Sequence, residues 1–159
     1  MKNQIILLAL LSLTILSCNK DQALLNDIKG TWQLENATFS NSTNAKQDSI
    51  LTSNGISLTF DVCDDVESKQ RTKPCFAYLS NKGQNYKFEY YVTNGNKVLL
   101  QVPSDFDKGA SFGTVAPFWI NGFSITEQTS KKLVMKCTNC SAGAFGVIPF
   151  NDRTFTFNR

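Results

Sequence analysis

Five cysteines, no histidine and a scatter of loop carboxylates bound the chemistry open to this chain. The tightest reactive spacing is Cys137-Thr138-Asn139-Cys140. Two thiols so placed can form a redox centre when the first sits at a helix N-terminus, which lowers its pKa. Here the first follows a strand-like stretch and precedes Ser141-Ala142-Gly143, a poor helix start. Zinc needs four ligands at paired spacing. Cys63 and Cys75 lie too far apart for that, and no histidine completes a set. The many serines lack a histidine to activate them. Asp64-Asp65 and the pair Asp105 and Asp107 could meet a cation, but they lack the ligand pattern of a calcium loop and read as solvated loop charge. The expectation is a protein that is not an enzyme, with no metal and no cofactor. A net charge of +3 without a Lys/Arg stripe gives no reason to expect nucleic acid.

Cys18 belongs to a different pattern. Lys2 opens the chain, and residues 5–16 are apolar except for Ser12 and Thr14. That run has the length of a signal-peptide core and is shorter than the ~20 residues a spanning helix needs. Ile15-Leu16-Ser17-Cys18 then resembles the bacterial lipobox, with an aliphatic residue three before the cysteine and a small one just before it. The resemblance implies a signal peptide over 1–17, cleavage after Ser17 and a diacylglyceryl group on the Cys18 thiol. The chain's membrane partner is then reached through that lipid. Asn19 stands where an inner-membrane retention signal has Asp, so the expected address is the cell outer membrane, facing the periplasm or the surface. Cys18-Asn19-Lys20-Asp21 also resembles part of the surface-export tether of Bacteroidetes lipoproteins. Asp48-Ser49-Ile50 resembles their short O-glycosylation signal, which would modify Ser49.

With Cys18 assigned to lipid, an even four cysteines remain in an oxidising compartment, which points to two disulfides. Three pairings are possible. Proximity in sequence favours Cys63–Cys75 and Cys137–Cys140, the first closing a polar loop over 64–74.

The elements that must position these residues follow from periodicity. Residues 21–29 read as a short helix with Asp21 as cap, Gly30 as stop, and Ala23, Leu24, Leu25 and Ile28 buried. From there the period is two. Trp32, Leu34, Ala37 and Phe39 read as a strand with a bulge. Ile56, Leu58, Phe60 and Val62 form the cleanest half-buried alternation. Strands are expected over 75–80 and 86–92 around Asn81-Lys82-Gly83, and over 97–102 after the Asn94-Gly95 hairpin turn. Residues 117–121 with 123–126, then 132–137 and 153–158, complete about eight strands. Such a pattern suggests one antiparallel barrel or sandwich.

Ile28-Lys29-Gly30-Thr31-Trp32-Gln33-Leu34 resembles the opening of lipocalin-like proteins, where a short helix leads into Gly-x-Trp on the first strand. Trp119-Ile120, Phe123-Ser124-Ile125-Thr126 and Leu133-Val134-Met135 resemble the penultimate hairpin of small lipocalin-like lipoproteins of Bacteroidetes. The likeness implies an all-β fold: an antiparallel, up-and-down, eight-stranded lipocalin-like barrel with a short N-terminal helix, the alternative being a β-sandwich. Residues 18–24 would be a lipidated tether and 25–159 the barrel. Trp32 would pack at the closed end. Nothing in these residues resembles the long helix that animal lipocalins carry after the barrel. A barrel of this size is either filled by side chains or holds one small ligand. The implied function is therefore binding of a small hydrophobic ligand; the alternative is a filled, non-catalytic interaction protein. The candidate pocket wall is Phe60, Tyr86, Phe88, Tyr90, Leu100, Trp119 and Phe157, a set that a one-residue register slip would turn outward.

Overall fold

The computed structural model describes residues 20–40, 55–64, 74–101, 122–137, 140 and 152–159. Helix α1 (Lys20–Ile28) precedes eight strands: β1 (Gly30–Ser40), β2 (Ser57–Phe60), β3 (Cys75–Asn81), β4 (Gln84–Thr93), β5 (Lys97–Gln101), β6 (Gly122–Gln128), β7 (Lys132–Cys137) and β8 (Asp152–Asn158). Each strand pairs antiparallel with the next, and β8 pairs with β1. The fold is therefore an all-β, up-and-down, closed eight-stranded barrel with a short N-terminal helix, the lipocalin-like architecture. Pairing of β8 with β1 leaves no sheet edge, which rules out a sandwich.

Strict alternation builds the wall. On β3, Cys75, Ala77, Leu79 and Asn81 are buried while their neighbours are not. On β8 the buried set is Arg153, Phe155 and Phe157. Strand β1 needs a correction to its period, because Leu34 and Ala37 are both buried although three positions apart. The register shift between Leu34 and Asn36 supplies it. One extra residue in the strand returns the following side chains to the inner face. A second shift lies between Ile125 and Glu127 on β6.

Two turns match their sequence signals. Lys82 and Gly83 take φ of 50° and 77°, and Asn94 and Gly95 take 58° and 67°, the left-handed conformations that tight hairpins require.

The helix departs in detail. It begins at Lys20, so residues 20–24 of the expected tether belong to the folded unit, and Ala23 is exposed. Asp21 lies in the first turn, one residue inside the helix, and its carboxylate accepts the Gly95 N–H at 2.5 Å, fastening the helix to the β4–β5 turn. A Cβ on Gly95 would stand 2.6 Å from the Lys20 Cβ, so the contact also requires glycine. A nine-residue helix is marginal alone. Buried Leu24, Leu25 and Ile28 hold this one against the barrel, each contributing roughly 1.5–3 kcal/mol.

Val62 is a second correction. It is 85% exposed, and β2 ends at Phe60. One further backbone bond, Asp61 N–H to the Phe76 carbonyl, holds before the chain leaves the sheet towards Cys63. Its apolar parity therefore finds no inner face to join.

Candidate functional site

Three features meet at the helix end of the barrel. Trp32, fully buried on β1, donates its indole N–H to the Ile28 carbonyl at 2.7 Å. The Arg159 guanidinium lies over the Trp32 ring, 3.9 Å from its centroid. The same guanidinium donates to the carbonyls of Lys29 and of Asp27, the latter at 3.4 Å. Gly30 has φ +100°, a conformation that L side chains rarely adopt, and a Cβ there would touch the Arg159 guanidinium at 3.4 Å. Gly30, Trp32 and Arg159 thus pack together with the end of α1 at this end of the barrel. Arg159 was not singled out from the sequence, because its stacking partner lies on the first strand and is brought near only by barrel closure.

The candidate lining residues divide. Phe60, Phe88, Tyr90, Leu100 and Phe157 face inward and are fully buried. Tyr86 shares their face but is half-buried, and its hydroxyl donates to Gln84 Oε1 at 2.6 Å. Trp119 lies outside the described residues. Register joins several of the set: Tyr90 faces Leu100 and Cys75, Phe88 faces Ala77, and Ala77 faces Phe60 across β2. Phe60 and Tyr90 meet edge to face at 5.1 Å, and Phe123 and Phe155 at 5.8 Å. Such contacts add modestly to burial and fix ring geometry. Phe60 and Tyr90 thus pack the inner face toward the helix, while Phe155, which also meets Phe39 at 6.0 Å, carries the packing toward Arg153.

Tyr90 is tied down at its polar end, where its hydroxyl donates to the Asp61 carbonyl at 2.9 Å. Burial, and after it the nearby Asp61 charge, raise its phenol well above the ordinary value of 10.0. Tyr90 stays protonated and neutral at physiological pH.

The opposite end differs in character. Odd-numbered strands run away from the helix, so the inner face there is bounded by the ends of β1, β3 and β7 and the start of β8. Among the described residues, two polar side chains occupy it. Arg153 is 1% exposed and faces inward beside Phe39 of β1 and Cys137 of β7. Burial lowers its pKa below the ordinary arginine value, yet arginine remains charged in proteins. Asn81, 7% exposed, ends the inner row of β3, and its Oδ1 has no hydrogen-bond partner among the described residues. Neither was a candidate in the sequence. The signal for Arg153 was its parity with Phe155 and Phe157; Asn81 read as a turn residue, although it shares parity with Ala77 and Leu79.

Disulfides join Cys63 to Cys75 and Cys137 to Cys140, the pairing that proximity favoured. Cys137 ends a strand and is buried, a setting that lacks the helix N-terminus a reactive thiol uses. Among the described residues no three His, Cys, Asp or Glu side chains gather as a metal site. Asp64 is described and exposed. Cys18, Ser49, Asp65, Asp105 and Asp107 lie outside the described residues.

Outside the barrel, a groove of about 330 Å³ runs between α1 and β6, walled by Lys20, Ala23, Leu24, Asp27, Ile125 and Glu127 among others. Its lining mixes charges of both signs with small apolar surfaces. Among known proteins, the chain matches no family model and no curated sequence.

Proposed function

We propose that this protein is a non-catalytic envelope lipoprotein, held at the outer membrane by lipid on Cys18, whose barrel takes a small, largely apolar ligand from the end opposite the helix. The observation that carries this reading is the asymmetry of the barrel. One end is stopped by α1, Trp32 and Arg159, while the inner face at the other end combines apolar walls with buried Arg153 and Asn81. Barrel mouths are a common place for ligands, and such sites pair an apolar lining with a few placed polar groups. Only Asn19 lies between Cys18 and Lys20, where the helix begins, so two residue steps give a reach of at most about 7 Å. Lipid on Cys18 would hold the stopped end against the bilayer and turn the other end away.

A second reading, a filled barrel that works through its surface, draws on the packed rings Phe60, Tyr90, Phe123 and Phe155. Native mass spectrometry of protein purified from its own envelope separates the two. A recurrent co-purified small molecule supports the ligand reading; its absence, with no melting shift across a lipid and metabolite screen, supports the filled barrel. Metabolic labelling with a fatty-acid analogue tests the anchor. Label should disappear in Cys18→Ala, and label that persists there would remove Cys18 from the account.

A further inference from the structure

We infer that the ligand is an anionic amphiphile, its head group read by Arg153 and its chain lying along the aromatic wall; this rests on the ligand reading above. Arg153 points from β8 into the same interior as Phe155 and Phe157, two and four positions on. A buried guanidinium is costly to desolvate and is retained where something repays the cost. Contacts within the chain engage it, but a guanidinium carries five N–H donors and a full charge, so it can hold a carboxylate as well as a protein partner. In the surrounding apolar medium that charge acts more strongly than it would in water.

Asn81 is the independent second observation. It faces the same end of the barrel, more than nine-tenths buried, with an Oδ1 that no group among the described residues satisfies. An orphaned buried acceptor costs stability unless something donates to it. A hydroxyl or amide hydrogen close to the ligand's head group would do so. The neighbours of Arg153 in register, Phe39 and Cys137, are apolar, so the described inner surface around the cation suits the first methylenes of a chain. A neutral hydrocarbon would offer nothing to the Asn81 Oδ1 or to the Arg153 charge, and a cationic amphiphile would meet like charge.

The test compares dodecanoate with dodecan-1-ol at pH 7.5, where the acid is ionised and the chains match in length. Affinities are measured by calorimetry on the full mature protein. Dodecanoate should bind at least ~10-fold more tightly than the alcohol, as a charge-assisted hydrogen bond implies. Arg153→Met should bring the two within about twofold of each other, and Arg153→Lys should restore part of the preference. Equal binding of acid and alcohol by the unaltered protein overturns this inference and leaves the ligand reading standing. Binding of neither probe, with no melting shift, overturns both. A preference that survives Arg153→Met in a folded variant removes Arg153 as the reader. The wild-type comparison needs no mutation, so it decides the matter even if Arg153→Met fails to fold.

Discussion

Replacing Trp32 by phenylalanine removes one hydrogen atom's worth of chemistry from the stopped end of the barrel, along with part of a ring. The indole N–H is the donor to the Ile28 carbonyl at 2.7 Å, and that carbonyl sits at the last residue of α1. Phenylalanine keeps an apolar ring but leaves the carbonyl buried beside it without this donor. The lost bond contributes about 1 kcal/mol, and the orphaned acceptor adds roughly 1–3 kcal/mol if water does not reach it. The smaller ring also opens space, so a total of about 2–4 kcal/mol is expected. At this chain length each kcal/mol lowers the melting temperature by roughly 3–5 °C. Trp32→Phe should therefore melt roughly 6–20 °C below the parent and show a lower urea midpoint with an unchanged slope. Arg159→Met separates the stacking contact. In a cycle with Trp32→Leu, the coupling between the two positions should be about 0.5–1 kcal/mol, the range for an exposed cation over an indole. A Trp32→Phe protein within about 0.5 kcal/mol of the parent would refute the assignment of this bond as a fastening of the helix. Strict additivity in the cycle would refute the stacking term.

Gly95→Ala should cost more than Gly83→Ala. Both need left-handed backbone, at about 1–2 kcal/mol for a side chain, but only the Gly95 substitution drives a Cβ into Lys20; equal urea midpoints would contradict the helix–turn contact. Replacing Cys63 and Cys75 together by serine should lower stability by about 2–4 kcal/mol through loss of loop closure. Reductant should then no longer shift the melting contributed by that bridge. Alkaline stability should depend on Tyr90. Its folded pKa is raised above the unfolded value of 10.0, so the contribution is complete below pH 10 and is lost as pH climbs beyond it, by up to about 1.4 kcal/mol per pH unit. Tyr90→Phe should flatten that decline in denaturation series run from pH 9 to 11.5, and an unchanged slope would exclude Tyr90 as its source.

Local sequence determined much of this protein. Period-two runs such as Phe155/Phe157 and Tyr86/Phe88/Tyr90, with the Lys82-Gly83 and Asn94-Gly95 turns, carry their own structure, because alternation and left-handed turn residues act between near neighbours. Helix, bulge on β1 and the two close cysteine pairs were legible for the same reason. Parity also placed Phe60, Phe88, Tyr90, Leu100 and Phe157 on one face. Only the tertiary structure decided that β8 closes on β1, which turns that face into an interior. Closure set Arg159 over Trp32, made Asp21 a fastening for a turn, and left Val62 outside once its strand had ended. It also enclosed Arg153 and Asn81. Their residue types suggest the surface, and what buries them is the convergence of strands distant in sequence, which no local pattern encodes.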